Sequence, residues 1–173
     1  MTQSNRANRS AGSSGFTLME LLIVISIILI LMLMAMPTVG GMRKKANETS
    51  AVNSVQAIVT AEVMYASSYS AKGFACSLKA LGGDPASGPP TPSAAQLIQP
   101  DLASGYKSGY VFNITNCVKT SSTGGDYVKG YTITAVPETV GKTGDRGFCG
   151  DQNGGSPKYD PAGGINCIQL LLQ

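Results

Sequence analysis

GFTLMELLIVISIILILMLMAMP, residues Gly15 to Pro37, is an almost unbroken apolar run that carries a carboxylate, Glu20, near its start. From Phe16 to Met36 only Thr17, Glu20 and Ser26 are polar, and a helix of that length reaches roughly 32 Å, enough to cross the hydrocarbon of a bilayer. A core helix of a soluble domain is apolar along one stripe, whereas this run is apolar on every face, so it predicts a membrane helix. A carboxylate in a bilayer costs about 2.5–3.5 kcal/mol and persists only where something compensates for it. The small residue Gly15 stands ahead of the apolar run, whereas an ordinary secretory signal is cut after its apolar region. A cut between Gly15 and Phe16 leaves the helix in the mature chain and creates an α-amine about one turn from Glu20.

Gly15, Phe16, Thr17, Leu18, Glu20, Leu21 and Leu22, followed by the apolar run to Pro37, resemble the processing signature of type IV pilins and of the pseudopilins of type II secretion. The resemblance implies a leader, residues 1–15, removed on the cytoplasmic side by a membrane-embedded prepilin peptidase, and methylation of the Phe16 amine. It further implies that Glu20 acts in subunit assembly. Its carboxylate would meet the Phe16 ammonium of a neighbouring subunit in a low-dielectric bundle and set axial register, which apolar helices sliding past one another cannot do. The implied partners are identical or homologous pilin subunits, the peptidase and an inner-membrane assembly platform, with no nucleic acid among them. The implied location is the bacterial inner membrane before assembly, with the C-terminal head in the periplasm, and afterwards an extracellular pilus or a periplasmic pseudopilus.

Charge does not orient the span, because Arg6 and Arg9 flank one side and Arg43, Lys44 and Lys45 the other. Cysteines do. Cys76, Cys117, Cys149 and Cys167 all follow the run, their number is even, and no pair has metal-ligand spacing, so they read as two disulfides formed outside the cytoplasm. Connectivity does not follow from sequence. We expect Cys76 with Cys117, tying the loop after the helix to the first strand, and Cys149 with Cys167, pinning the C-terminal loop.

The formal charge is +3, and the chain has neither His nor Trp, which excludes imidazole-based metal sites and His acid/base catalysis. No Gly-x-Ser-x-Gly and no framed carboxylate pair occurs, so nothing points to an enzyme. Past Pro37, Val52, Val55, Val59, Val63 and Ala66 recur at helical spacing, joined by Ala51, Ile58 and Tyr65, and predict an amphipathic continuation of the membrane helix. Pro37 removes a backbone donor, and Gly40 and Gly41 lower helix propensity, so a kink is expected there. Many pilins carry a glycine midway along the apolar run, where this chain has Leu29 and Ile30; any local melting is therefore expected only from Met36 to Gly41.

The expected organisation is a leader (1–15), a membrane and assembly helix (16–37), an amphipathic helix (38–71) and a β-rich head (72–173). The segment Ala71 to Gly109 reads as loop, with a short helix from Ser93 to Gln99 closed by Pro100. Tyr110, Phe112 and Ile114 alternate onto one face, as do Tyr131, Ile133 and Ala135, and these two strands should pair antiparallel. Further strands are expected around Arg146 to Cys149 and from Ile165 to Leu172. A long helix, a loop and then three or four strands gives an α+β fold.

Gly141, Thr143, Gly144, Arg146, Phe148, Asp151 and Gly154 resemble the strand-loop-strand segment of certain type IVa pilin heads, with the final strand displaced by SPKYDPAGG. The Trp-Gly-Asn-Pro signature of major pseudopilins is absent, which tilts the reading toward a pilin. No cofactor is expected. Asp151, Asn153 and Asp160 are the one weak calcium candidate, by analogy with the calcium loop of major pseudopilins, and their spacing fails the EF-hand pattern. GKTG at Gly141 reads as a turn rather than a P-loop, and the sequons at Asn47 and Asn113 as chance. Three functions remain open: a type IV pilus subunit, a type II secretion pseudopilin, and a membrane-tethered periplasmic binding domain.

Overall fold

The computed structural model describes residues 15–122 and 125–170, excluding the side chains at 35–39, 122, 125, 169 and 170. Two compact units, Met1–Val39 and Gly40–Gln173, are each described by themselves. Helix α1, Leu18–Ser68, provides the regular structure of the first and opens the second. Among the described residues no helix carries a stretch long and apolar enough to cross a membrane. The described apolar side chains of α1 run from Leu18 to Met34, about 25 Å of helix against about 30 Å of hydrocarbon, and the side chains at 35–37, the end of the expected span, lie outside the described residues.

In the second unit α1 is amphipathic. Glu48, Ala51, Val55, Ile58, Glu62 and Tyr65 are buried at alternating steps of three and four residues, which is one stripe of a helix. Val63, expected on that face, is 53% exposed, because the stripe passes through Glu62 and Tyr65 on either side of it. Val52 and Val59 flank the stripe half-buried.

The sheet is an antiparallel meander of six strands in chain order: β1 (Tyr106–Lys107), β2 (Tyr110–Ser122), β3 (Gly125–Pro137), β4 (Gly147–Asp151), β5 (Lys158–Asp160) and β6 (Gln169–Leu170). β2 and β3 pair with Tyr110 opposite Pro137 and Phe112 opposite Ala135, so the two alternating apolar sets share one face. That face packs on the α1 stripe. A Cβ on Gly150 in β4 would stand 2.9 Å from Val55, so the helix approaches the sheet too closely there for any side chain. Residues 123–124, between β2 and β3, lie outside the described residues.

Sequence reading undercounted the strands. β5 was hidden because it is three residues long and flanked by Pro157 and Pro161, which read as loop. The segment Ala71 to Gly109 is also more ordered than expected, holding α2 (Leu78–Leu81), α3 (Pro100–Ala103) and β1. The helix expected at Ser93 to Gln99 is absent. Residues 95–97 are instead irregular, with Gln96 at a left-handed φ of 55°, and donate their N–H groups to the carbonyls of Ala80, Gly82 and Leu81 at 2.7–2.8 Å, which buries Ala95 and Ile98 in one cluster with Leu81. Pro100 opens a helix rather than closing one, since its missing N–H costs nothing at the first helical position and it holds Gln99 extended.

Two disulfides hold the head. Cys76–Cys117 and Cys149–Cys167 have Cα separations of 6.0 and 5.9 Å. The first lands on a bulge in β2, where Asn116 and Cys117 together face Tyr131 of β3. In the chain-entropy view, closing loops of these lengths contributes about 4 and about 3 kcal/mol respectively.

Candidate functional site

Gly15 and Phe16 open the described chain; Gly15 has open space around it and Phe16 is 80% exposed. One turn later the helix start is organised by a capping box. Thr17 Oγ1 accepts the Glu20 N–H at 3.1 Å, and Glu20 Oε2 accepts the Thr17 N–H at 3.3 Å and its hydroxyl at 3.2 Å. Two of the N–H groups that a helix start leaves unpaired are thereby satisfied, and the carboxylate sits at the positive end of the helix dipole. The two bonds that the carboxylate accepts both use Oε2, which leaves Oε1 available to an outside cation. The signal, Thr-x-x-Glu ahead of an apolar run, was present in the sequence. Ser26 Oγ donates to the Leu22 carbonyl at 2.8 Å, so its hydroxyl is satisfied by its own helix. From Leu18 to Met34 the large apolar side chains are exposed all round.

Two further carboxylates lie on the buried stripe of α1, where the sequence reading placed none. Glu48 clasps the loop before β4: its Oε1 accepts the N–H groups of Asp145 and Arg146 at 2.9 and 3.2 Å, and its Oε2 pairs with the Arg146 guanidinium at 3.0 and 2.7 Å. The guanidinium lies over the rings of Phe148 and Tyr159, at 5.6 and 5.4 Å from their centroids. Beside it, Lys44 pairs with Asp145 at 2.8 Å in a more exposed setting.

Glu62 is fully buried, and its Oε2 accepts the Ala75 N–H at 2.6 Å. Burial pushes its carboxyl up to about 7, against the downward pull of the backbone N–H groups of Ala75 and Cys76.

Residues 10–36 match the model of the prokaryotic N-terminal methylation motif. The chain carries the type IV pilin and pseudopilin signature. The matched residues include Gly15, Phe16, Glu20 and most of the apolar run, so the capping box lies inside the signature. No curated protein and no solved structure matches the chain. The signature marks a pilin-like or pseudopilin protein and favours a structural subunit over an enzyme.

Outside the signature, Asp151 and Asn153 share a turn after β4, while Asp160 pairs with Gly147 at the other end of that strand. Asp151 Oδ1 accepts the Asn153 N–H in a turn that ends at Gly154, and its other oxygen lies 3.9 Å from the Lys158 ammonium. Asp160 spends both oxygens on the N–H groups of Ala162 and Asn166. Among the described residues no group of three or more His, Cys, Asp or Glu side chains is placed to hold a metal. GKTG forms a turn closed by Gly141 N–H donating to the Gly144 carbonyl at 2.8 Å. Of the residues expected at the kink, the Pro37 side chain lies outside the description. Gly40 and Gly41 lie within α1, and no contact within 4 Å demands glycine there.

Proposed function

We propose that this chain is a structural subunit of a type IV pilus. The observation that carries the reading is the helix start: a Gly15–Phe16 junction inside the methylation motif, followed one turn later by a carboxylate on a helix whose apolar side chains are exposed on every face. An all-round apolar exposed helix needs a nonaqueous neighbour, which a bilayer provides before assembly and a bundle of like helices afterwards.

A prepilin peptidase cuts between Gly15 and Phe16, the new amine is methylated, and the subunit waits in the inner membrane with its head in the periplasm. In the filament Glu20 Oε1 meets the Phe16 ammonium of the next subunit. The head from Gly40 onward carries its own core and two disulfides, as a subunit displayed outside the cytoplasm requires. A membrane-tethered binding domain gives no role to the Gly15–Phe16 junction or to Glu20.

Immunogold electron microscopy with antibody against the head tests the reading. The expected result is label along filaments on the cell surface. Label confined to the periplasm with secretion lost on deletion assigns the chain to a pseudopilus, and monomeric membrane protein with no filament rejects both.

A further inference from the structure

Within the core of the head, two buried side-chain polar atoms have no hydrogen-bond partner among the described residues: Glu62 Oε1 and the Tyr131 hydroxyl. Buried polar atoms in a folded protein are nearly always paired, so these two stand out as core polar atoms that no described protein group satisfies. They are electrostatically coupled, since the Glu62 charge contributes to holding the Tyr131 phenol above its ordinary value, second to burial. Glu62 Oε2 meanwhile carries the Ala75 N–H, and Ala75 lies between Phe74, whose ring meets Tyr131 edge-on at 4.9 Å, and Cys76, which starts the disulfide to β2 and adopts a left-handed φ of 56°. The same segment lines a cavity of about 300 Å³ shared with Tyr65, Lys72, Lys119, Asp126 and Val128.

We propose that Glu62 is a protonation-operated latch: neutral, it holds the segment from Phe74 to Cys76 against α1, and ionised, it releases that segment toward the adjoining cavity. A neutral acid keeps its Ala75 bond and leaves no charge in the core. An ionised one puts charge in the core that the Ala75 and Cys76 N–H groups offset only in part, since burial outweighs them, and the remaining relief is water, reached by moving the segment that lines the adjoining cavity. The charged and titratable groups around it do not supply a counter-ion. Tyr65 on α1 gives its hydroxyl to the Pro92 carbonyl at 2.8 Å, Tyr131 on β3 has its phenol held above its ordinary value, Asp151 on β4 is an acid, Lys72 lines the cavity, and among the described residues no ion pair includes Glu62. Lys119 faces Asp126 at 4.0 Å across the cavity.

The sign follows from the raised folded value. Below about 4.5 both folded and unfolded chains hold the proton and the full contribution of the neutral acid is present; it is lost as pH rises toward about 7, where the folded form also gives up its proton. A difference of this size weakens the closed form on the order of 100-fold across that window.

The test uses the full chain in detergent micelles, with carbon-detected titration of glutamate carboxyls and hydrogen exchange of the Ala75 amide. We expect the Glu62 carboxyl to titrate near 7. Ala75 protection should fall at least tenfold between pH 5.5 and 8 beyond the intrinsic rise in exchange, and Glu62→Gln should abolish that excess. Titration of Glu62 in the ordinary carboxylate range, or equal pH dependence of Ala75 protection in wild type and variant, overturns the latch. If the variant does not fold, the wild-type titration and exchange decide by themselves.

Discussion

Glu20→Gln should leave the chain in the membrane fraction and abolish its filaments. Glutamine keeps the capping box, because its carbonyl can still accept the Thr17 N–H and hydroxyl, so the helix start survives. It removes the charge, which eases insertion by about 2.5–3.5 kcal/mol, and it leaves the neighbouring Phe16 ammonium in the bundle without a counter-ion. Stripping one partner from a buried ion pair costs about 3–5 kcal/mol, and the loss recurs at every subunit contact along a filament. Glu20→Ala removes the box as well and should behave the same way in assembly. The pair separates the capping role that the structure gives Glu20 from the proposed role in assembly. If Glu20 serves only as a cap, the Gln variant makes normal filaments and only the Ala variant fails. Membrane fractionation and electron microscopy of shed filaments, with no wild-type copy in the cell, read both outcomes.

Glu48→Ala should cost the head about 2–4 kcal/mol, more than any of its other ion pairs. The substitution orphans two backbone N–H groups, those of Asp145 and Arg146, and deprives the Arg146 guanidinium of the oxygen that accepts two of its N–H groups. Arg146 is 40% exposed and can turn to water, which keeps the figure below that for a fully buried pair. The neighbouring Lys44–Asp145 pair supplies the contrast: its side chains are 28% and 53% exposed, and Lys44→Ala should cost under about 1 kcal/mol. Urea unfolding of the full chain in detergent, followed by far-ultraviolet circular dichroism, measures both. Equal small effects from the two substitutions would show that the Glu48 clasp is not what holds α1 to the loop before β4.

What the sequence made legible followed from periodicity. Tyr110, Phe112 and Ile114 opposite Tyr131, Ile133 and Ala135 announced a half-buried strand pair, because alternation over several residues has few other meanings. The valines after Pro37 announced a helix, but they misplaced its buried stripe, since Glu48 and Glu62 occupy core positions that a polarity pattern reads as solvent. Only tertiary partners show that those carboxylates belong inside: Arg146 lies 98 residues from Glu48, and Ala75 meets Glu62 across a chain reversal. One-turn elements such as α2 and α3 are too short to display a period, and Pro100 has the same letter whether it ends a helix or begins one. At the helix start the opposite holds. The spacing of Gly15, Phe16, Thr17 and Glu20 carries nearly all of the information, and the structure adds the capping box that shows how Glu20 is held.

The central claim is that Gly15–Phe16 is a processing junction and Phe16 the mature N-terminus. Mass spectrometry of the chain extracted from membranes, with fragmentation of its N-terminal peptide, tests this most directly. The account predicts a mature chain that begins at Phe16 with one added methyl group on its α-amine; an uncut chain, or one that begins after Met36 with the apolar run removed, would contradict it.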